Sequence, residues 1–141
     1  MSAMTNEEVV RTACQVIWTD GDVSRVSEFY GEGFKADYPM TDWGRGLEGV
    51  EALARSVRES FPDYREQIDE LFVDGDNVIV RLTIRGTHEG PLMNVLPTGK
   101  AVEFRDVTIC RVADGKIVEQ RGLSDHLSVM VQLGVIELPG A

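Results

Sequence analysis

Long hydrophobic runs are missing from this chain. No stretch of about 18 apolar residues occurs, so no helix is expected to span a membrane. The start, Met1-Ser2-Ala3-Met4-Thr5-Asn6-Glu7-Glu8, lacks the basic residues and apolar core of a secretion signal. Cysteine is scarce. Cys14 and Cys110 form no metal or redox spacing, and both read as reduced core thiols of a cytoplasmic protein. His88 and His126 fall on different elements with no carboxylate at ligand spacing near either, so no metal site is expected. There is no Gly-rich phosphate loop, no GxGxxG and no Ser/His/Asp motif. Basic residues are outnumbered, 14 against 24 acidic, for a net charge of −10. Such a charge repels phosphate backbones, and nucleic acid is not an expected partner. The acid is spread along the chain, as on a solvated surface.

What is present is the composition of one globular domain over residues 1–141, with 43% apolar and 27% charged residues. Thr5-Asn6-Glu7-Glu8 is a capping box. It opens a helix to about Trp18, with Val9, Val10, Ala13, Cys14, Val16 and Ile17 at helical spacing. Asp22 is placed to cap a shorter helix carrying Val23, Val26 and Phe29 and ending near Gly31. Phe34 to Pro39 is extended, Met40 to Gly46 is loop, and Leu47 to Ser60 is a third helix ended by Pro62. The period then changes to two. Strands are expected over Tyr64–Val73, Val78–His88, Ala101–Val112 and Lys116–Ser124, before a last helix near Asp125–Leu133. Val78, Val80, Leu82, Ile84, Gly86 and His88 share one strand face.

Ala113-Asp114-Gly115 before Lys116 suits a three-residue hairpin that pairs Val112 with Lys116. That register sets Thr108 opposite Gln120 and Asp106 opposite Gly122. Phe104, Asp106, Thr108, Cys110, Val118, Gln120 and Gly122 then line one face. Val107, Ile109, Ile117 and Leu123 lie on the other. The helices of so short a chain cover one face only, so the outer one is expected to join a homodimer.

Helices followed by a bent sheet resemble the cone-shaped α+β fold of the nuclear transport factor 2-like superfamily, with N-terminal helices on a strongly curved antiparallel sheet. Within it the chain resembles the SnoaL-like polyketide cyclase, or ester cyclase, group. The residues that carry this are Phe61-Pro62-Asp63-Tyr64, Asp74-Gly75-Asp76, Gly86-Thr87-His88-Glu89-Gly90, Pro97-Thr98-Gly99-Lys100, Arg111 through Glu119, and Gln132-Leu133-Gly134. The likeness runs from about Thr5 to Val135. It implies an enzyme without a cofactor, in which a cavity aspartate removes a proton α to a carbonyl during an aldol ring closure. In the cyclases that aspartate lies on the last strand, two residues after a histidine; here Gly122 and Gln120 stand at those positions. A second cavity histidine of the group falls at Thr108.

Asp106 is the expected replacement base, since a carboxylate between Phe104 and Thr108 on a buried face has its proton affinity raised by desolvation. His88 is the expected second catalytic group, orienting Asp106 or relaying a proton. A hydrophobic small molecule is expected to meet Asp37, Tyr38, Trp43, Met93, Leu96, Phe104, Thr108 and Gln120. Asp125 reads as the cap of the last helix, and His126 on its first turn as exposed. The reading that follows is proton abstraction on a carbonyl-bearing metabolite: cyclisation, isomerisation or dehydration. A non-catalytic binding or interaction module, and an epoxide or ester hydrolase, are the alternatives.

Overall fold

The Thr5 hydroxyl caps the first helix by accepting from the Glu8 amide at 3.2 Å. In the computed structural model, which describes residues 3–140, helix α1 (Asn6–Ala13) does not stop at Ala13. It runs on as a wider π-helical stretch, Cys14–Thr19. Arg58 secures its end, giving one nitrogen to the carbonyls of Trp18 and Thr19, each at 2.7 Å. The short helix expected after Asp22 is smaller than its pattern suggests. One 3-10 turn (Val23–Arg25) leads into one turn of helix, α2 (Val26–Phe29). Asp22 takes the Ser24 hydroxyl and leaves the backbone amides uncapped.

Strand β1 (Tyr30–Asp37) follows directly, then helix α3 (Gly46–Ser60), β2 (Arg65–Asp74), β3 (Asn77–Thr87), β4 (Ala101–Ala113), β5 (Lys116–Ser124) and helix α4 (His126–Gln132). The sheet order is β1-β5-β4-β3-β2. The last four strands are antiparallel neighbours, but β1 pairs parallel with β5. The sheet is therefore mixed and not purely antiparallel. The fold remains α+β, with helices on one face. Val9, Val10, Ile17, Val50 and Ala54 from the helices meet Val78, Val80, Leu82, Ile84 and Val112 from the sheet.

The hairpin between β4 and β5 departs from expectation. Asp114 and Gly115 both have positive φ, 50° and 75°, the mark of a two-residue type I′ turn. Ala113 pairs with Lys116, and a bulge follows between the Val112–Ile117 and Arg111–Glu119 pairs. The register beyond it is displaced by two residues from the expected one. Thr108 faces Gly122, and Asp106 faces Ser124. An even displacement keeps each side chain on its face, so Asp106, Thr108, Cys110 and Gln120 are all buried on the inner side. Ile117 changes sides because of the bulge and is 1% exposed in the core. The outer face keeps Val107 and Leu123, 46% and 66% exposed. Cross-strand ion pairs such as Arg85–Glu103 and Arg111–Glu119 surround them.

Candidate active site

All five strands send side chains into one cavity of about 410 Å³ between sheet and helices. Its walls are mostly apolar: Trp18, Phe61, Val80, Leu82, Ile84, Phe104 and Ile117. Trp43 closes one side, stacked on Tyr38 with ring centroids 5.0 Å apart and edge-on to Trp18 at 5.4 Å. Two polar groupings interrupt this lining, and no hydrogen bond joins them.

The first is a chain of hydrogen bonds across β1, β4 and β5. Gln120 Nε2 donates to Tyr38 Oη at 2.9 Å; Tyr38 Oη and Thr108 Oγ1 are 2.5 Å apart; Thr108 Oγ1 donates to Asp106 Oδ1 at 2.6 Å. Ser124 gives its hydroxyl to Asp106 Oδ2. With Asp106 ionised, the donors can run one way only. Each hydroxyl proton is committed toward the carboxylate, and this end of the cavity accepts protons. Burial raises the Asp106 pKa, opposed by the hydroxyls of Ser124 and Thr108 and then by the nearby charge of His126. Burial, and then the Asp106 charge, hold the Tyr38 phenol well above its ordinary value, so it stays protonated.

The second grouping lies at β2. Tyr64 Oη donates to Glu66 Oε2 at 2.7 Å, and the Glu66 amide donates to Thr19 Oγ1 at 3.0 Å. Glu66 is half-buried, and its remaining surface faces the cavity. Desolvation lifts its carboxyl to about 8; the Tyr64 bond opposes the rise and the Asp106 charge adds to it. Near neutral pH the proton stays on Glu66.

The structure brings Asp106, Tyr38, Trp43, Met93, Phe104, Thr108 and Gln120 to the cavity wall. It does not bring His88, Asp37 or Leu96. His88 is fully buried outside the cavity lining, its Nδ1 accepting from the Thr98 amide at 3.2 Å. Its backbone pairs with Lys100 and Gly99, so it pins the 88–99 loop and cannot reach Asp106's partners. Asp37 is exposed at the end of β1, where alternation turns it away from its neighbour Tyr38. Leu96 is 79% exposed on the loop.

Sequence reasoning missed Glu66, Ser124 and His126. Period-two alternation from the buried Tyr64 through Glu66 to Ile68 held the signal for the first. Ser124 needed the true hairpin register. His126 was expected in water; the cap that Asp125 provides, accepting from the Ser128 amide at 3.0 Å, turns His126 into the cavity instead.

The profile of the SnoaL-like polyketide cyclase family matches residues 8–133. The chain belongs to the SnoaL-like polyketide cyclase family. Aklanonic acid methyl ester cyclase DnrD of Streptomyces peucetius is 32% identical over 93 residues, covering 62% of this chain and 63% of the relative. The matched stretch thus spans less than two thirds of that protein. A Jannaschia sp. CCS1 protein described as a SnoaL-like polyketide cyclase superposes with TM-score 0.84 at 30% identity, covering 94% of this chain and 93% of its own. IdmH of Streptomyces antibioticus, described as a polyketide cyclase, gives TM-score 0.82 at 28% identity over 94% of this chain and all of the neighbour. These neighbours place the chain in the family's cone-shaped, nuclear transport factor 2-like fold. Among the described residues no helix is long and apolar enough to cross a membrane, and no group of three or more His, Cys, Asp or Glu is gathered as for a metal.

Proposed function

We propose that this protein catalyses proton abstraction α to a carbonyl of a hydrophobic keto ester, as the first step of an aldol-type ring closure. The observation that carries the reading is Asp106: a carboxylate 6% exposed, lining an apolar cavity, with both oxygens oriented by hydroxyl donors. Desolvation raises its proton affinity, and the hydroxyls hold it in one rotamer. The α-proton passes to Asp106, and the electron pair of the C–H bond delocalises as an enolate. His126 lines the same cavity and is a group able to give an N–H to the enolate oxygen. The enolate carbon then attacks a second carbonyl of the same molecule, and the proton held by Asp106 goes to the new alkoxide.

Tyr38, Thr108 and Gln120 do not grip the substrate carbonyl in this reading. The hydroxyl protons of Tyr38 and Thr108 are spent on Thr108 and Asp106, and Gln120 gives one N–H to Tyr38, so they set the base in place. The ester in the substrate class comes from the relatives named as aklanonic acid methyl ester cyclases. The proposal extends to assembly: two copies pair through the outer sheet face around Val107 and Leu123.

The test is turnover of aryl β-keto esters by wild type and Asp106→Asn. Asparagine keeps the shape but takes no proton, so kcat should fall about 10²–10⁴-fold with little change in KM. An unchanged kcat removes Asp106 as the base.

A further inference from the structure

Glu66 has no part in the chemistry above, yet among the described residues it is a second carboxyl, with Asp106, that lines the cavity without being exposed. It sits on β2, the edge strand, while Asp106 is on β4. Across β3, Glu66 stands level with Phe104, two residues along β4 from Asp106, so their backbones lie about 12 Å apart. The side chains converge on the same space. Oε2 of Glu66 accepts from Tyr64, and the Cys14 thiol stands beside the same carboxyl, which lines the cavity and keeps part of its surface open there. The two ends are chemically opposite: at the Asp106 end the hydroxyl protons are spoken for and the carboxylate accepts, whereas a carboxyl that keeps its proton at Glu66 has an O–H to give.

We propose that Glu66 is a specificity-determining residue that donates a hydrogen bond to an uncharged acceptor oxygen, a ketone or ester carbonyl, on the part of the substrate remote from the reacting carbon. This rests on the cavity being the substrate site. It adds the requirement that the substrate carry a second, neutral oxygen across an apolar body. A substrate with a carboxylate at that end is disfavoured, because it would bring a second negative charge into an apolar cavity that already holds Asp106. The titratable groups facing Glu66 are Cys14 from the π-helical stretch, Tyr64 beside it, Tyr30 from β1, and Asp106 and Cys110 from β4. None is a cation; the hydrogen bonds from Tyr64 and Cys14 favour the ionised form, and burial outweighs them. Burial holds its proton until about pH 8.

The probes are 1-tetralone and tetralin, which differ by one carbonyl, with dissociation constants measured by ligand-observed NMR. Wild type at pH 6.5 should prefer the ketone by about 3–10-fold, the usual worth of a net hydrogen bond. The preference should vanish in Glu66→Leu, survive in Glu66→Gln and survive in Tyr38→Phe. It should fade in wild type as pH rises through 8, but not in Glu66→Gln. A preference unchanged in Glu66→Leu overturns the proposal, as does one lost in Tyr38→Phe instead. Should Glu66→Leu fail to fold, the pH comparison of wild type with Glu66→Gln decides alone. Equal binding of both probes to wild type overturns the role of Glu66 and leaves the cavity reading standing; no binding of either overturns both.

Discussion

The space in which a side chain at position 122 would stand is filled by Tyr38. A Cβ on Gly122 would lie 2.7 Å from Tyr38 Cε2, 2.8 Å from Thr108 Oγ1 and 2.5 Å from the Val107 carbonyl oxygen. The position where the cyclases are expected to carry aspartate is therefore closed here to any side chain. A tyrosine hydroxyl from the end of β1, the strand beside β5, takes the place and passes its hydrogen bond to Thr108 and Asp106.

This makes Gly122→Ala a severe change for so small an addition. The Tyr38 ring can move, but the Val107 carbonyl belongs to the paired strand and cannot. A loss of about 1–3 kcal/mol is expected, read as a lowered midpoint in denaturant. A variant as stable as wild type would mean that the strand pair yields at this point.

Tyr38→Phe keeps the ring on Trp43 and removes one hydroxyl. Thr108 Oγ1 and Gln120 Nε2 then lose a partner, which costs about 1–3 kcal/mol in a buried site. Turnover should drop, but less than in Asp106→Asn, because Thr108 and Ser124 still hold the base. Turnover falling as far as in Asp106→Asn would make Tyr38 itself the group that meets the substrate proton.

Glu66 predicts the pH dependence of stability. Its folded pKa of about 8 lies above the ordinary carboxyl value. Between roughly pH 4.5 and 8 the folded chain holds a proton that the unfolded chain has released. Stability from this group thus falls as pH rises through that window. Glu66→Gln should be more stable than wild type at pH 9, by about 1–2 kcal/mol, well short of the full linkage value because the carboxyl is only half-buried. Thermal melts at pH 5, 7 and 9 test this. Parallel curves for the two proteins would show that Glu66 ionises as usual.

The proposed pairing of sheets is tested by light scattering. The expected mass is twice 15.6 kDa, and Val107→Glu with Leu123→Glu should halve it. A wild-type monomer at micromolar concentration rules the pairing out.

Much of this fold was legible from pattern because the pattern was strong. The capping residues Thr5 and Asp125 do what their spacing implies, and β5 spans the residues its alternation marks. What failed was local geometry that side-chain type does not set. Asp114 can adopt positive φ as Gly115 does, which converts a three-residue loop into two and moves the bulge to Val118. That step decided Asp106's neighbour. Asp106 itself was found because alternation alone puts it inward. His88 was misread because an inward-facing histidine at a strand end serves a loop as well as a cavity, and only the Thr98 contact distinguishes the two. Glu66 is hard to read because a carboxylate on an edge strand serves a solvated face as readily as a cavity.

The central claim is that Asp106 removes a proton from carbon next to a carbonyl. Exchange of that proton with solvent reports the step even where no ring closes. Ethyl benzoylacetate incubated in D₂O with wild type, and followed by proton NMR, should lose its α-proton signal faster than the buffer background, with Asp106→Asn reduced about 10²-fold or more. Exchange that is equally fast with Asp106→Asn, or that never exceeds background with wild type, contradicts the account.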